Sequence, residues 1–127
     1  MPDIAPRILV VDDDPVIVRL LEVNFRLEAF DVVTALRGED ALALAREAAP
    51  DIILLDVMMP GMDGYELCRQ LRETPELAQV PVLFLSARAR DDDRTRGMAL
   101  GVVDYVTKPF DPTELVSLVR RHLEGPL

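Results

Sequence analysis

Strand-like and helix-like patterns alternate five times along this chain, and few architectures accept that alternation. Apolar runs predict strands over Arg7–Val11, Phe30–Ala35, Asp51–Asp56, Val82–Leu85 (ending at Ser86) and Asp104–Thr107. Helical spacing fills the intervals. Asp14 and Pro15 cap and open a first helix, with Val16, Leu20, Val23 and Leu27 expected inward. Gly38 starts a second, with Ala41, Leu42, Ala45 and Ala48 inward, ended by Pro50. Asp63 caps a third carrying Leu67, Cys68 and Leu71. A polar loop with Asp91-Asp92-Asp93 leads into a fourth that stops near Gly101. Asp111-Pro112-Thr113-Glu114 opens a fifth, burying Leu115, Val116, Val119 and Leu123 and stopping at Gly125-Pro126. Strands and helices in this order imply a parallel sheet covered on both faces. The chain has no repeat and no linker, so residues 1–127 are expected to form one domain with its core over about 7–124.

In such a sheet ligands bind at the carboxyl ends of the strands, near a switch in strand order. Asp12, Asp13, Asp56, Ser86 and Lys108 all fall at those ends. Ile8-Leu9-Val10-Val11 runs into Asp12-Asp13-Asp14, and Ile52-Ile53-Leu54-Leu55 runs into Asp56. Desolvated carboxylates are costly without partners. If the two strands are neighbours, the acids repel one another and call for a hard divalent cation. Lys108 is the only lysine, and arginine supplies every other positive side chain. A compact ammonium is therefore wanted at that position.

Charge and cysteine content remove whole classes of function. The net charge of -9 and pI of about 4.5 argue against nucleic-acid binding by this domain. With one cysteine, Cys68, no internal disulfide forms, and a reducing compartment fits. The first residues lack a signal-peptide core, and no apolar stretch is long enough for a membrane span. A cytoplasmic domain with no membrane contact is expected.

The residues resemble a response regulator receiver domain, of the two-component, chemotaxis-regulator-like kind. The carriers are Val11-Asp12-Asp13-Asp14, Leu54-Leu55-Asp56-Val57-Met58-Met59-Pro60-Gly61-Met62-Asp63-Gly64, Leu85-Ser86-Ala87 and Asp104-Tyr105-Val106-Thr107-Lys108-Pro109-Phe110. The resemblance covers nearly the whole chain. It implies an α/β fold of the (βα)5 flavodoxin-like, doubly wound kind, with a five-stranded parallel sheet in the order 2-1-3-4-5. It implies Asp56 as phosphoacceptor, and Mg²⁺ (Mn²⁺ as a substitute) on Asp12, Asp13, Asp56 and the Met58 backbone carbonyl. Lys108 is implied as the second positive charge, Ser86 and Tyr105 as the switch pair, and Lys108-Pro109 as a cis peptide. Met58 and Arg88 stand at the positions that tune phosphoryl lifetime, and their bulk implies slow self-hydrolysis.

The implied role is signalling rather than enzymatic, with catalysis limited to the domain's own phosphorylation and dephosphorylation. The implied partners are a histidine kinase or a histidine phosphotransfer protein, and a downstream target on the face of the fourth helix, fifth strand and fifth helix. A monomer or a phosphorylation-dependent dimer is expected. Arg94, Asp104 and Glu114 fit part of a charged dimer pattern on that face, whereas Val103 and Leu118 stand where charges are expected.

Plainer roles account for the other conspicuous residues. Asp14 serves as a helix cap, and Asp91-Asp92-Asp93 suits a helix start. Cys68 reads as a small buried hydrophobe. His122 sits in a last helical turn, where a cation favours the dipole. Met58, Met59 and Met62 pack a loop; the hard oxygen donors nearby do not suit copper. Two rivals remain at this level. Asp12-Asp13-Asp14-Pro15-Val16 fits the signature of haloacid-dehalogenase-type phosphatases, with Asp12 as nucleophile and Asp14 as acid. A pseudo-receiver would bind partners without phosphorylation.

Overall fold

The computed structural model describes residues 5–87 and 91–124. Among these, strands and helices alternate as β1 (Arg7–Val11), α1 (Pro15–Leu27), β2 (Asp31–Ala35), α2 (Gly38–Ala48), β3 (Ile52–Asp56), α3 (Gly64–Glu73), β4 (Val82–Ser86), α4 (Asp91–Ala99), β5 (Asp104–Thr107) and α5 (Pro112–Glu124). Every residue of β3 and β4 is buried, which a strand achieves only when both faces are covered. The strands are all parallel, in the order β2-β1-β3-β4-β5. The expected flavodoxin-like order is thus the observed one.

Side chains alternate between two cores, as the strand period of two requires. Ile8, Val10, Ile52, Leu54, Leu83 and Leu85 pack with Leu21 and Phe25 of α1 and with Leu115, Val116 and Val119 of α5. Leu9, Val11, Ile53, Leu55 and Phe84 pack on the other side with Ala41 and Ala45 of α2 and with Leu67, Cys68 and Leu71 of α3. Full burial of one such Leu or Ile contributes about 1.5–3 kcal/mol before entropy is counted. β1 has β2 on one side and β3 on the other. The strand order therefore reverses at β1, and a crevice opens between the ends of β1 and β3.

Helix ends follow the capping residues. Asp14, Asp63 and Asp111 each accept a backbone N–H from the first helical turn at 2.9 Å, from Val16, Glu66 and Thr113. Each cap satisfies an amide with no intrahelical partner, a contribution of about 1 kcal/mol.

The inward face of α1 differs from expectation. Val16 and Leu27 are 72% and 76% exposed, and Leu20 and Val23 are also exposed. The buried stripe is Val18, Leu21 and Phe25. Apolar residues at 16, 17, 18, 20, 21, 23, 25 and 27 offer two stripes at helical spacing. Packing decides between them. Phe25 meets Phe30 edge to face at 4.9 Å, and the larger ring takes the core position. At α4, Asp91-Asp92-Asp93 forms the first turn, the helix start that suits an acidic run, and not the loop also expected to hold it. That helix ends at Ala99, short of Gly101, whose φ of +79° is left-handed. The expected stop of the last helix at Gly125-Pro126 lies outside the described residues.

Candidate functional site

β1 and β3 are hydrogen-bonded neighbours, with Val11 opposite Leu55. The next residue of each is acidic, so Asp12 and Asp56 emerge side by side at the switch point. Both are buried, at 0% and 2% exposure, while Asp13 projects into solvent. Oxygen atoms of Asp12, Asp13 and Asp56 all lie within 4.8 Å of one another. The donor set is hard, anionic and open on one side, which fits a hard divalent cation.

Lys108 enters from the end of β5. Its Nζ lies 2.8 Å from Asp12 Oδ2 and 3.6 Å from Asp56 Oδ1. Ser86 Oγ belongs to a fully buried residue at the end of β4, and the Ser86 carbonyl accepts the Lys108 backbone N–H at 2.7 Å. That bond ties the lysine's backbone to β4, the strand beside β3, which carries Asp56. The Lys108-Pro109 peptide is cis.

The electrostatics follow from burial and sign. Burial pushes the Asp56 carboxyl up to about 7, and the negative charge of Asp12 adds to the shift. Lys108 and the backbone N–H of Met58, which donates to Asp56 Oδ1 at 3.2 Å, pull the other way. Burial alone would lower the Lys108 ammonium. The hydrogen bond and charge of Asp12, then the charge of Asp56, outweigh it and hold the group above its ordinary value. The cluster is thus short of positive charge even with the lysine in place.

Asp56 is held by its own loop. An added Cβ at Gly64 would lie 2.6 Å from the Asp56 carbonyl oxygen and 2.7 Å from Val57 Cα. Only glycine lets α3 start so close to the end of β3. Gly64 N–H donates to the Val57 carbonyl at 2.9 Å and closes the turn. Gly61, at φ +76°, makes the bend within it. Met59 is buried in the core that α2 and α3 share, and Met62 packs against it, whereas Met58, two residues beyond Asp56, is half exposed.

Other sequence-derived candidates separate from this cluster. Asp14 spends its carboxylate on the α1 cap, so the phosphatase assignment of an acid at that position finds no support. Tyr105 is buried on β5, 6.0 Å from Phe84 ring to ring. Arg88 lies outside the described residues. Cys68 is buried, and burial raises its thiol. His122 Nε2 lies 3.2 Å from Asp104 Oδ2.

Sequence reasoning missed Tyr65. It is the second residue of α3, is buried, and touches both Phe84 and α4. The signal was present, since Tyr65, Cys68 and Leu71 recur at helical spacing on one face.

A sheet with order 2-1-3-4-5 and a lysine-bridged acid pair at its switch point is the arrangement that the receiver-domain resemblance implies, and comparison with known proteins agrees. The response regulator receiver domain model matches residues 8–120. The phosphate regulon transcriptional regulatory protein PhoB of Rhizobium meliloti (strain 1021) is 44% identical over 118 residues. That alignment covers 93% of this chain and 52% of PhoB, so the chain spans about half the length of this relative. Among solved structures, the Vibrio cholerae chemotaxis protein CheY4 superposes with a TM-score of 0.89 at 30% identity, covering 93% of this chain and 98% of that one. The BeF3-activated N-terminal receiver domain of Klebsiella pneumoniae RstA superposes with a TM-score of 0.86 at 34% identity, covering 94% and 99%. The chain belongs to the response regulator receiver domain family, the signalling domains of two-component systems. No helix among the described residues is long and apolar enough to cross a membrane.

Proposed function

We propose that Asp56 is the phosphoacceptor of a His-Asp phosphorelay. The observation that carries this reading is a buried carboxylate, pushed up to about 7, with Lys108 Nζ at 3.6 Å and a second buried acid beside it. An Asp56 carboxylate oxygen attacks the phosphorus of a phosphohistidine. The P–N bond breaks, the imidazole keeps the electron pair and takes a proton from water, and an acyl phosphate forms on Asp56. Asp12, Asp13, Asp56 and the Met58 backbone carbonyl would hold Mg²⁺, with Mn²⁺ as a substitute. The bound ion supplies positive charge that offsets the repulsion between acceptor and incoming phosphoryl group. Asp12 holds the Lys108 ammonium at 2.8 Å, where it faces the same oxygens. Domain chemistry ends with self-phosphorylation and hydrolysis, and the unit that performs it runs over about residues 7–124.

The output follows from Ser86 and Tyr105. The Ser86 hydroxyl bonds the phosphoryl group, and an inward Tyr105 accompanies it, reshaping the face of α4, β5 and α5 toward a downstream target. Burial of Tyr105 supports an inward position for this ring. A histidine kinase or histidine phosphotransfer protein is the donor.

Incubation with Mg²⁺ and a small phosphodonor tests the assignment. The wild-type chain and Asp14→Ala gain phosphate, Asp12→Asn gains it slowly, and Asp56→Asn gains none. Unimpaired labelling of Asp56→Asn overturns the reading.

A further inference from the structure

Helix α4 lacks an apolar face. Among the described residues 92–99, only Gly97 is buried. By contrast α1 buries Val18, Leu21 and Phe25. Polar and ring contacts hold α4 instead. The Tyr65 hydroxyl donates to the Asp93 carbonyl at 3.3 Å, and the Arg96 guanidinium lies 3.9 Å from the centre of the Tyr65 ring. Arg94 donates to the Tyr105 carbonyl at 3.1 Å. A Cβ at Gly97 would lie 3.1–3.3 Å from atoms of the Phe84 and Tyr105 rings, so glycine permits this close seating.

Tyr65 also ends a row of rings. It meets Phe84 edge to face at 5.5 Å, and Phe84 meets Tyr105 edge to face at 6.0 Å. In the first turn of α4, Asp93 Oδ2 is buried without a hydrogen bond among the described residues, and the Tyr105 hydroxyl interacts with that of Tyr65. The unsatisfied carboxylate oxygen works against the seated helix, while the Tyr65 hydroxyl and the Arg96–Tyr65 contact work for it. The helix is therefore held by a few small, opposed contributions. An element in that condition responds to small changes at its edge.

We propose that Tyr65 is a positioning residue of the switch, its hydroxyl and ring seating α4 over the inward Tyr105. This rests on the reading of Asp56 as acceptor and Tyr105 as switch aromatic. Tyr65 acts through α4 and touches none of the reacting atoms. By linkage, whatever favours the seated helix also favours the phosphoryl-bound site, and the reverse holds equally.

The test compares Tyr65→Phe, which keeps the ring, and Tyr65→Leu, which removes it. Each is made alone and in a Tyr105→Ala background. Two quantities are read: amide hydrogen exchange across residues 93–99, and affinity for Mg²⁺ with beryllofluoride, a stable mimic of the phosphoryl group. Tyr65→Phe is expected to speed exchange in α4 by about threefold to tenfold, with β1 and β3 unchanged. It is expected to weaken beryllofluoride binding by a similar factor, and Tyr65→Leu by more. In the Tyr105→Ala background the binding loss should vanish. Wild-type exchange in α4 of Tyr65→Phe overturns the proposal. So does an equal binding loss in both backgrounds, because a purely structural hydroxyl would act without Tyr105. Failure of the wild-type chain to bind beryllofluoride would instead overturn the acceptor-site reading, and α4 exchange would still decide whether Tyr65 seats the helix.

Discussion

Lys108 is shared unequally between two acids, 2.8 Å from Asp12 and 3.6 Å from Asp56. Burial first, and then the Asp12 charge, push the Asp56 carboxyl up to about 7, and the more distant lysine offsets only part of that rise. An acid raised above its unfolded value of about 4 contributes stability that is complete below that value and lost as pH rises through about 7. A divalent cation needs the ionised form and restores stability over the same window. Mg²⁺ is therefore expected to raise the melting temperature more at about pH 8 than at about pH 5, and Asp56→Asn should remove most of that difference. An equal rise at both pH values contradicts the electrostatics argued for Asp56. Met58 is half exposed two residues beyond Asp56, and Met58 and Arg88 are proposed to slow hydrolysis of the acyl phosphate. Replacing both with small polar residues should shorten the lifetime of the phosphorylated form, followed as loss of label; an unchanged lifetime removes that role. At this scale the acids and the lysine were legible, because each terminates an apolar run. The unequal sharing of Lys108 was not, since it depends on register across three strands.

Elements were legible where composition leaves one choice. β3 and β4 are apolar throughout, and their burial follows. α1 offers two apolar stripes, and periodicity alone cannot rank them. The structure buries Leu21 completely and leaves Leu20 40% exposed. Leu21→Ala should cost about 2–5 kcal/mol in chemical denaturation, and Leu20→Ala less than about 1 kcal/mol. Comparable losses would return the inward face to Val16, Leu20, Val23 and Leu27. Two charged residues on the face of α4, β5 and α5, Arg94 and Asp104, are engaged within the chain. Arg94 binds the Tyr105 carbonyl, and Asp104 faces His122. Val103 and Leu118 pack at the edge of the core instead of presenting charge. The charged dimer pattern suggested by residue type is thus partly absorbed by internal contacts.

For the molecule as a whole, five alternations of strand and helix dictated a covered parallel sheet, and the order 2-1-3-4-5 places β1 beside β3. The family resemblance supplied that order; periodicity could not, because strand neighbours are long-range pairings. Once β1 and β3 touch, acids that lie far apart in sequence converge, and the loop after β5 brings the ammonium to them. The central claim is that this convergence makes Asp56, and no other acid, the group that takes the phosphoryl. Borohydride reduction of the phosphorylated chain converts an aspartyl phosphate to homoserine, which mass spectrometry locates. Homoserine at position 56 alone is the expected result; homoserine at position 12, 13 or 14 would contradict the account.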